Sequence, residues 1–424
     1  MIGRSELAPF LKEYWTENLK NRVRYEKHPF FAMIKKNTSA GGENCVVPID
    51  VDDGGEGSAT FSDAQATAVN TASIKRQFVI DWAEDFELAQ VSNAAMRASR
   101  NKEHALEKAV KETERAQRKL ADRIARSIYR AGWGEKGVVG SSTNLSSKVI
   151  RLSNASDARF FHVGDKLVFS SSLNAATLRD SGDYVSVTKI DVDTGDITTD
   201  AGTDLSTSIT SIAAGDYIFN KGSRQNSATP SRLVIPGLAA WNPDSAPTAG
   251  ESFFGVDRTT YTSRLAGLRY PASGNASGAL QETLIRALAH AGINQCDITH
   301  GFIHPTVYAD LLVALEGQKG IRETTVSVGK IGFTGIEVAT GYTRQPVKLF
   351  SDGDCPAGRG YFVNLDSVEL LSLGETIQND LLSNGSNGEA GRDIENASGM
   401  EFRYVFHGTM AATNPGDLLV VKFS

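Results

Sequence analysis

A helical period of apolar and polar residues runs without interruption through residues 93–130, a stretch that contains no Gly and no Pro. Strong helix formers dominate it. Its apolar residues recur at spacings of three and four and form one stripe. The stripe consists of Leu106, Ala109, Val110, Ala116, Leu120, Ala121, Ile124 and Ile128. Gly132 supplies a stop signal. The pattern predicts one helix, roughly 55 Å long at about 1.5 Å per residue. Such a length indicates a strut for an extended subunit, with a role in assembly rather than catalysis.

The chain ahead of this helix predicts an arm and a hairpin. Residues 5–23 have the pattern of an amphipathic helix, and 24–37 read as an irregular arm with aromatic anchors. Two runs with strand character, 45–51 and 71–80, enclose a polar, glycine-rich tip. A two-stranded hairpin buries too little apolar surface to be a domain. We therefore expect it to lie on its own body or to reach a neighbouring subunit, with 81–91 leading into the helix.

After the helix the pattern changes to short strands separated by turn clusters rich in Gly, Asp and Ser. The predicted strands are 148–152, 166–170, 184–190, 197–199 and 217–220. Strands at this spacing favour a small closed β-barrel of about 80 residues. Because mixed α/β regions flank it, we interpret it as an inserted domain.

The remainder predicts a loop-rich return at 223–279 and a compact α/β domain at 280–373. Its predicted helices are 280–291 and 306–316, with Pro305 at the first position of the second. Its predicted strands are 301–303, 324–328, 335–339, 347–350, 360–363 and 368–373. A loop at 383–391 precedes two closing strands, 400–406 and 418–423. The predicted class is α+β.

Composition narrows the function classes. The chain has 424 residues, of which 40% are hydrophobic and 22% charged, values typical of a globular chain of two to four domains. Its net charge of −6 argues against nucleic-acid binding through bulk positive charge. The long helix is locally basic, with eleven Lys and Arg against five acids between Arg97 and Arg130. We interpret this face as solvated surface rather than a polyanion site.

The sequence also predicts where the chain works. No signal peptide or membrane span is expected, so synthesis in the cytosol is the prediction. Cys45, Cys296 and Cys355 are far apart and read as free thiols in a reducing compartment.

Candidate chemical sites are few. His300 and His304 fall on a predicted strand and its end, about 13 Å apart, which disfavours a shared metal. Asp191, Asp193 and Asp196 lack the spacing of an EF-hand and indicate a hairpin turn. Catalytic serine elbows, Walker loops and HExxH helices are missing from the sequence. We therefore assign no catalytic, cofactor-binding or metal residue, expect no cofactor, and predict that the protein is not an enzyme.

The order of parts resembles that of a known family. Arm, long hairpin, single spine helix, α/β domain and closing strands follow one another as in the major capsid proteins of tailed phages, the Hong Kong 97-type fold. FIHPTVYADLLVAL resembles the strand–proline–helix passage of their axial domain, and GIEVATGYTRQPVKLFSDGD resembles the strands after it. FRYVFHGTMAATNPGDLLVVKF resembles their closing strands. The resemblance covers nearly the whole chain outside the predicted barrel.

The resemblance implies a subunit that forms hexamers and pentamers of an icosahedral head around double-stranded DNA. It would be assembled in the bacterial cytoplasm and reside in the virion, without membrane contact. Arm and hairpin would contact neighbouring subunits, and scaffold, portal and decoration proteins are further partners in the family. The implied parts are the arm 1–39, the extended loop 40–92, the spine helix 93–137, the inserted barrel 138–222, the peripheral return 223–279, the axial domain 280–373 and the closing peripheral strands 374–424.

Some members of the family join subunits through a Lys–Asn isopeptide bond with a Glu nearby. Lys75 lies on the predicted hairpin, and Asn384, Asn387 and Glu389 lie in a late loop. Their spacing does not demand this chemistry, and a solvated Lys with a flexible Asn-Gly loop is the better interpretation. Two alternative functions stay open: an encapsulin-like nanocompartment shell, and a cytosolic enzyme with a β-rich accessory domain.

Overall fold

The structure is a computed structural model. It describes residues 27–52, 57–70, 73–93, 102–248, 250–270, 280–315, 322–328, 331–338, 343, 345–379, 392–394 and 398–423. The predicted helix at 5–23 and the predicted loop at 383–391 lie outside these residues. The chain divides into two compact units, of which the first combines Met1–Arg126 with Trp241–Ser424 and the second is Ser127–Ala240.

The helices and strands of the described residues are numbered here along the chain. The helices are α1 Pro29–Met33, α2 Phe61–Asn70, α3 Lys102–Ser127, α4 Leu205–Ser208, α5 Leu238–Trp241, α6 Thr262–Ala266, α7 Leu280–Ile293 and α8 Pro305–Leu315. The strands are β1 Lys35–Asn37, β2 Asn44–Asp52, β3 Ile74–Asp81, β4 Ala83–Ser92, β5 Glu135–Val138, β6 Val149–Arg151, β7 Lys166–Ser170, β8 Val185–Asp191, β9 Asp196–Thr199, β10 Tyr217–Asn220, β11 Ser252–Phe253, β12 Val256–Asp257, β13 Leu268–Tyr270, β14 His300–Ile303, β15 Arg322–Val328, β16 Ile331–Val338, β17 Val347–Ser351, β18 Arg359–Val363, β19 Val368–Ser372, β20 Gln378–Asn379, β21 Arg392–Asp393, β22 Gly399–Ala412 and β23 Leu418–Lys422.

The long helix α3 ends three residues earlier than the sequence predicts, and residues 94–101 lie outside the described part. From Ala116 to Ile128 the apolar stripe is buried as expected, with Leu120 and Ile124 fully enclosed, while the side chains of Leu106, Ala109 and Val110 lie outside the described part. The early end has a clear cause. The carbonyls of Ile128 and Arg130 accept hydrogen bonds at 2.7 and 2.8 Å from the N–H groups of Leu238 and Gly237. These two carbonyls therefore bond to the segment at 237–238 and do not continue the hydrogen-bond pattern of the helix. A Cβ at Gly237 would lie 2.3 Å from the Ile128 carbonyl, so this approach requires glycine.

One seven-stranded sheet of the first unit has the order β13-β23-β18-β14-β17-β16-β15. Helices α7 and α8 pack on it. The core between these layers is apolar and fully buried, and it includes Leu284, Leu288, Leu311, Leu349, Phe362 and Leu419. The grouping of 280–373 by chain order is not the grouping of the sheet. Strands β13 and β23 join it from outside that range, and β19 leaves it.

The second sheet of the first unit has β22 at its centre. Over ten residues β22 pairs antiparallel with β4, and its C-terminal half pairs with β19. β1 lies parallel to β19. The closing strands β22 and β23 belong to different sheets. Residues 81–91, expected only to lead into the helix, contribute most of the strand β4. The arm expected to be irregular contains the helix α1 and the strand β1.

The second unit contains the sheet β5-β10-β7-β8-β9-β6. It closes on itself, because the N–H of Gly140 donates to the carbonyl of Arg151 (2.7 Å) and the N–H of Ser153 donates to that of Val138 (2.8 Å). Strands lie at the five predicted positions, while β5 and the short helix α4 were not predicted. The interior is apolar and includes Ile150, Leu167, Phe169, Ile197 and Ile218.

Candidate functional site

The hairpin of β2 and β3 is the first candidate surface, and its side chains alternate along each strand. The register runs from Asn44 opposite Asp81 to Asp52 opposite Ile74. Val47, Ile49 and Val51 point to the buried face, whereas Val46 is exposed. This period of two is the pattern of a strand with one solvated face. The hairpin therefore lies with its inner face on the first unit.

An aromatic cluster holds the base of the hairpin. The buried ring of Phe78 lies edge-on to Trp241 at 5.1 Å and to Phe253 at 5.9 Å between centroids. The N–H of Val79 donates to the carbonyl of Phe254 (3.2 Å). The guanidinium of the buried Arg258 stacks 4.1 Å from the Phe253 ring. Aromatic pairs of this kind stabilise by about 0.5–1.5 kcal/mol beyond burial, so the base is firmly fixed.

The far part of the hairpin carries helix α2, where the sequence predicted only a polar tip. Thr60 donates its hydroxyl to the carboxylate of Asp63 (2.5 Å), and its carbonyl accepts the first helical bond from Ala64. This Thr–Asp start with a following alanine-rich run is the signal by which the helix could have been found. Residues 57–63 are exposed, and Phe61 is 84% exposed. A large apolar side chain in this position is available to another molecule.

Helix α3 is joined to β4 by an ion-pair network. Arg123 donates to both carboxylate oxygens of Asp85 (3.0 and 2.7 Å), to Glu87 (2.7 Å) and to the carbonyl of Phe86 (2.6 Å). Lys119 adds a longer contact to Glu87 at 3.9 Å. Burial raises the pKa of Asp85 despite the neighbouring Arg123. This part of the charged helix face is therefore docked on the sheet, which corrects the expectation of a solvated surface.

The outer face of β4 is apolar where its inner face is acidic. Asp85 and Glu87 point toward α3. Phe86 and Leu88 alternate with them along the strand, so they point outward and are each 48% exposed. Val405 lies directly opposite Phe86 on β22. The sequence DFEL shows this alternation of acidic and apolar residues. Nothing local in it identifies Arg123, more than thirty residues away, as the partner of the two acids.

A buried histidine fixes the arm. The two ring nitrogens of His28 contact Asp122 of α3 (2.9 Å) and Asp354 of the loop after β17. Burial disfavours the charged ring, but the hydrogen bonds to Asp122 and Asp354 outweigh it and raise the pKa of His28 to about 10. The N–H of Phe30 donates to Asp352 (3.1 Å) next to it. No local pattern predicts this three-way contact, because its members are far apart in the chain.

Some of the residues weighed as chemical sites lie in the described part of the chain, and each can be placed there. Lys75 is solvated and pairs with Asp50 at 3.4 Å, while Asn384, Asn387 and Glu389 lie outside the described residues. The ring of His300 stacks near Phe302 and Phe350, and burial lowers its pKa to about 4.

His304 contacts the Thr306 hydroxyl at 2.7 Å. Asp191 accepts from the N–H groups of Asp193 and Thr194 in the turn between β8 and β9, as predicted for a hairpin turn. Cys45, Cys296 and Cys355 are free thiols.

The described residues contain neither a candidate metal site nor a helix that could span a membrane. Among them, three or more His, Cys, Asp or Glu side chains nowhere converge in a group that would hold a metal ion. In the same part of the chain, the helices are too short or too polar to cross a membrane.

Comparison with solved structures identifies the fold. A chain of the capsid asymmetric unit of cyanophage A-1(L) superposes with a TM-score of 0.50 and 13% sequence identity, covering 93% of this chain and 92% of that chain. The likeness extends over almost the whole of both chains. This chain therefore has the fold of a phage capsid protein, which confirms the resemblance found in the sequence.

Two further structures are similar at lower scores. One is the holo-SrpI encapsulin complex from Synechococcus elongatus PCC 7942, with a TM-score of 0.41, 9% identity, and coverage of 95% of this chain and 89% of that chain. The other is the capsid of a native GTA particle, with a TM-score of 0.42, 10% identity, and coverage of 95% and 91%. No protein-family model and no curated protein matches the chain.

Proposed function

We propose that this chain is the major capsid protein of a tailed phage. It would assemble into hexamers and pentamers of an icosahedral head that encloses double-stranded DNA. The observation that carries the proposal is the fold, which matches a phage capsid chain along nearly its entire length. The proposed role is structural and involves no catalytic step.

The proposal assigns a part to each segment of the Hong Kong 97-type plan. Helix α3 is the spine of the peripheral domain, and the hairpin of β2, α2 and β3 is the extended loop. The region 280–373 contributes the axial domain. The barrel at 138–222 is an insertion, and 223–279 and 374–424 complete the peripheral domain, while 1–39 is the arm.

The hairpin is built for contact with a second subunit. Its base is held by the Phe78 cluster, whereas residues 57–63 with Phe61 project exposed side chains. Phe86 and Leu88 offer a second exposed apolar surface on β4. Interfaces of standard size bury about 1,600 Å². Several contacts of moderate strength, closed into rings, stabilise a shell because each bond raises the effective concentration for the next.

The partners follow from this role. The chain binds copies of itself, and the packaged DNA lies inside without sequence-specific contacts, in keeping with a net charge of −6. Assembly takes place in the bacterial cytoplasm and the product is the virion. Scaffold, portal and decoration proteins are the additional partners of such a shell.

The direct test is negative-stain electron microscopy and sedimentation of the purified chain across salt and protein concentration. We expect shells, tubes or rings with sixfold local order. A stable monomer of 45.5 kDa under every condition would contradict the proposal.

We predict that deletion of residues 52–70 leaves a folded, soluble subunit that does not form shells. The deletion removes α2 and spares the Phe78 cluster at the base. Near-UV circular dichroism reports folding, and electron microscopy reports assembly. Phe61→Ser should weaken assembly in the same direction, while Val163→Ser, at an exposed apolar residue of the second unit, is the matched control. Normal shells from the deletion would reject the role of the hairpin.

A further inference from the structure

The barrel of the second unit contains a buried lysine in an unusual setting. Lys136 lies in β5 where the register with β10 shifts, between Glu135 opposite Phe219 and Gly137 opposite Ile218. A bulge of this kind re-aims a side chain. The Lys136 side chain is only 3% exposed, which is rare for a lysine.

Two polar side chains meet its amino group. Lys136 Nζ lies 2.5 Å from Oδ2 of Asp165, just before β7, and 3.0 Å from Oδ1 of Asn220, the last residue of β10. Asp165 is held in place by the N–H of His162 at 2.8 Å. The ring of Phe161 lies 4.9 Å from the same amino group. An amine, an amide and a carboxyl group thus meet beside an aromatic ring, with the amine buried and the side chain of Asp165 19% exposed.

The amine of Lys136 and the amide of Asn220 are close neighbours. The amide carbon of Asn220 is one C=O bond, about 1.2 Å, beyond Oδ1, which places it within about 4.2 Å of Lys136 Nζ. A buried ion pair is costly to desolvate. Transfer of one proton from the Lys136 ammonium to the Asp165 carboxylate removes both charges. It also leaves a neutral nucleophile and an acid at the amide.

We propose that Lys136 and Asn220 form an isopeptide bond within one chain, with Asp165 as the proton-transfer group. The lone pair of Lys136 Nζ attacks Cγ of Asn220, and the C–N bond to the amide nitrogen breaks. The protonated Asp165 gives its proton to the leaving nitrogen, which departs as ammonia, and the resulting carboxylate takes one proton from the attacking nitrogen. No oxidant, reductant or cofactor is consumed. The bond links the neighbouring strands β5 and β10 covalently and closes a loop of the chain that contains β6 to β9. Its formation does not depend on whether the chain forms shells.

The test is the intact mass of the full chain under denaturing conditions, followed by peptide mapping. We expect the mass to be lower than that of the sequence by one ammonia. We also expect a branched peptide that joins the segments containing Lys136 and Asn220. Unmodified peptides at both positions would overturn the proposal and leave an ordinary buried ion pair.

Variants separate the roles. Lys136→Arg and Asn220→Ala should both restore the full mass, and Asp165→Ala should leave the two reacting residues unjoined. Lys166→Arg, at an exposed lysine of the same barrel whose amino group lies over Tyr184, is the matched control and should keep the bond. If Asp165→Ala still forms the bond to the same extent, the role of Asp165 is wrong.

Discussion

His28 carries a positive charge between two carboxylates inside the first unit. Because Asp122 and Asp354 face its two ring nitrogens, both nitrogens must donate, which requires the imidazolium form. The contact ties the arm to α3 and to the loop at 352–354. A lone buried charge would be costly, but a charge between two acceptors is held strongly.

We predict that His28→Gln lowers the free energy of unfolding by roughly 3 kcal/mol, because it leaves two carboxylates without their shared cation. The pKa of His28 is about 10 when folded against an ordinary 6.5. Its stabilisation is therefore complete below about pH 6.5 and is lost as the pH rises through about 10. Denaturant titrations of the unassembled subunit at a series of pH values measure both effects.

The control for this prediction is His407→Gln. His407 lies 3.5 Å from Glu84 on the solvated side of the sheet. Such a pair contributes about 1 kcal/mol or less. Equal losses from both variants, or a His28→Gln chain with the same pH dependence as the wild type, would contradict the role given to His28.

At the scale of elements, the helix α3 is joined to the strand β4 by hydrogen bonds and ion pairs. The apolar stripe of α3 is buried from Ala116 onward, and Arg123 reaches the sheet through four hydrogen bonds. The acidic residues of β4 point inward for this reason, which displaces Phe86 and Leu88 to the outside. One ion-pair network thus decides which apolar residues are left for contact with other molecules.

We predict that Arg123→Ala destabilises the subunit by about 2 kcal/mol, since it leaves the half-buried Asp85 without its main cation. Arg115→Ala is the matched control on the same helix. Its partner Glu112 is one helical turn away and both side chains are well exposed, so a loss below about 1 kcal/mol is expected. Urea unfolding followed by circular dichroism measures both. A smaller loss for Arg123→Ala than for Arg115→Ala would refute the network.

Local periodicity predicted most elements because it depends on neighbours in the chain. Local patterns predicted three features in this way: the stripe of α3, the alternation of β2 and the proline at the start of α8. The end of α3 was not, because it depends on hydrogen bonds to residues 237 and 238. The partners of His28 and Arg123 could not be predicted either, since no local pattern records a contact with residues that are 36 to 326 positions away.

At the scale of the molecule, the order of parts predicted the fold better than any single motif. A long helix after a hairpin and before an α/β region was enough to indicate a phage capsid fold, and the comparison confirms that fold. Sheet membership could not be predicted from order. β13 and β23 cross into the seven-stranded sheet from distant parts of the chain, and β22 takes β4 and β19 as its partners.

We predict that the fragment 127–240 folds alone. It contains a complete apolar core, and its ends are brought together by the hydrogen bond from Gly237 to Arg130. We expect a near-UV circular dichroism signal and one cooperative thermal transition. The shorter fragment 127–220, which lacks that hydrogen bond, should melt at a lower temperature. A 127–240 fragment without fixed tertiary structure would contradict the prediction.

The closure of the six-stranded sheet has a consequence for solubility. An open sheet presents a row of unpaired N–H and C=O groups that can template pairing with other chains. In the barrel, the bonds from Gly140 to Arg151 and from Ser153 to Val138 occupy the groups at which the sheet would otherwise end. Many copies of this unit crowded together would meet through side chains alone. Closure therefore removes a sheet edge at which one copy of the unit could pair with another.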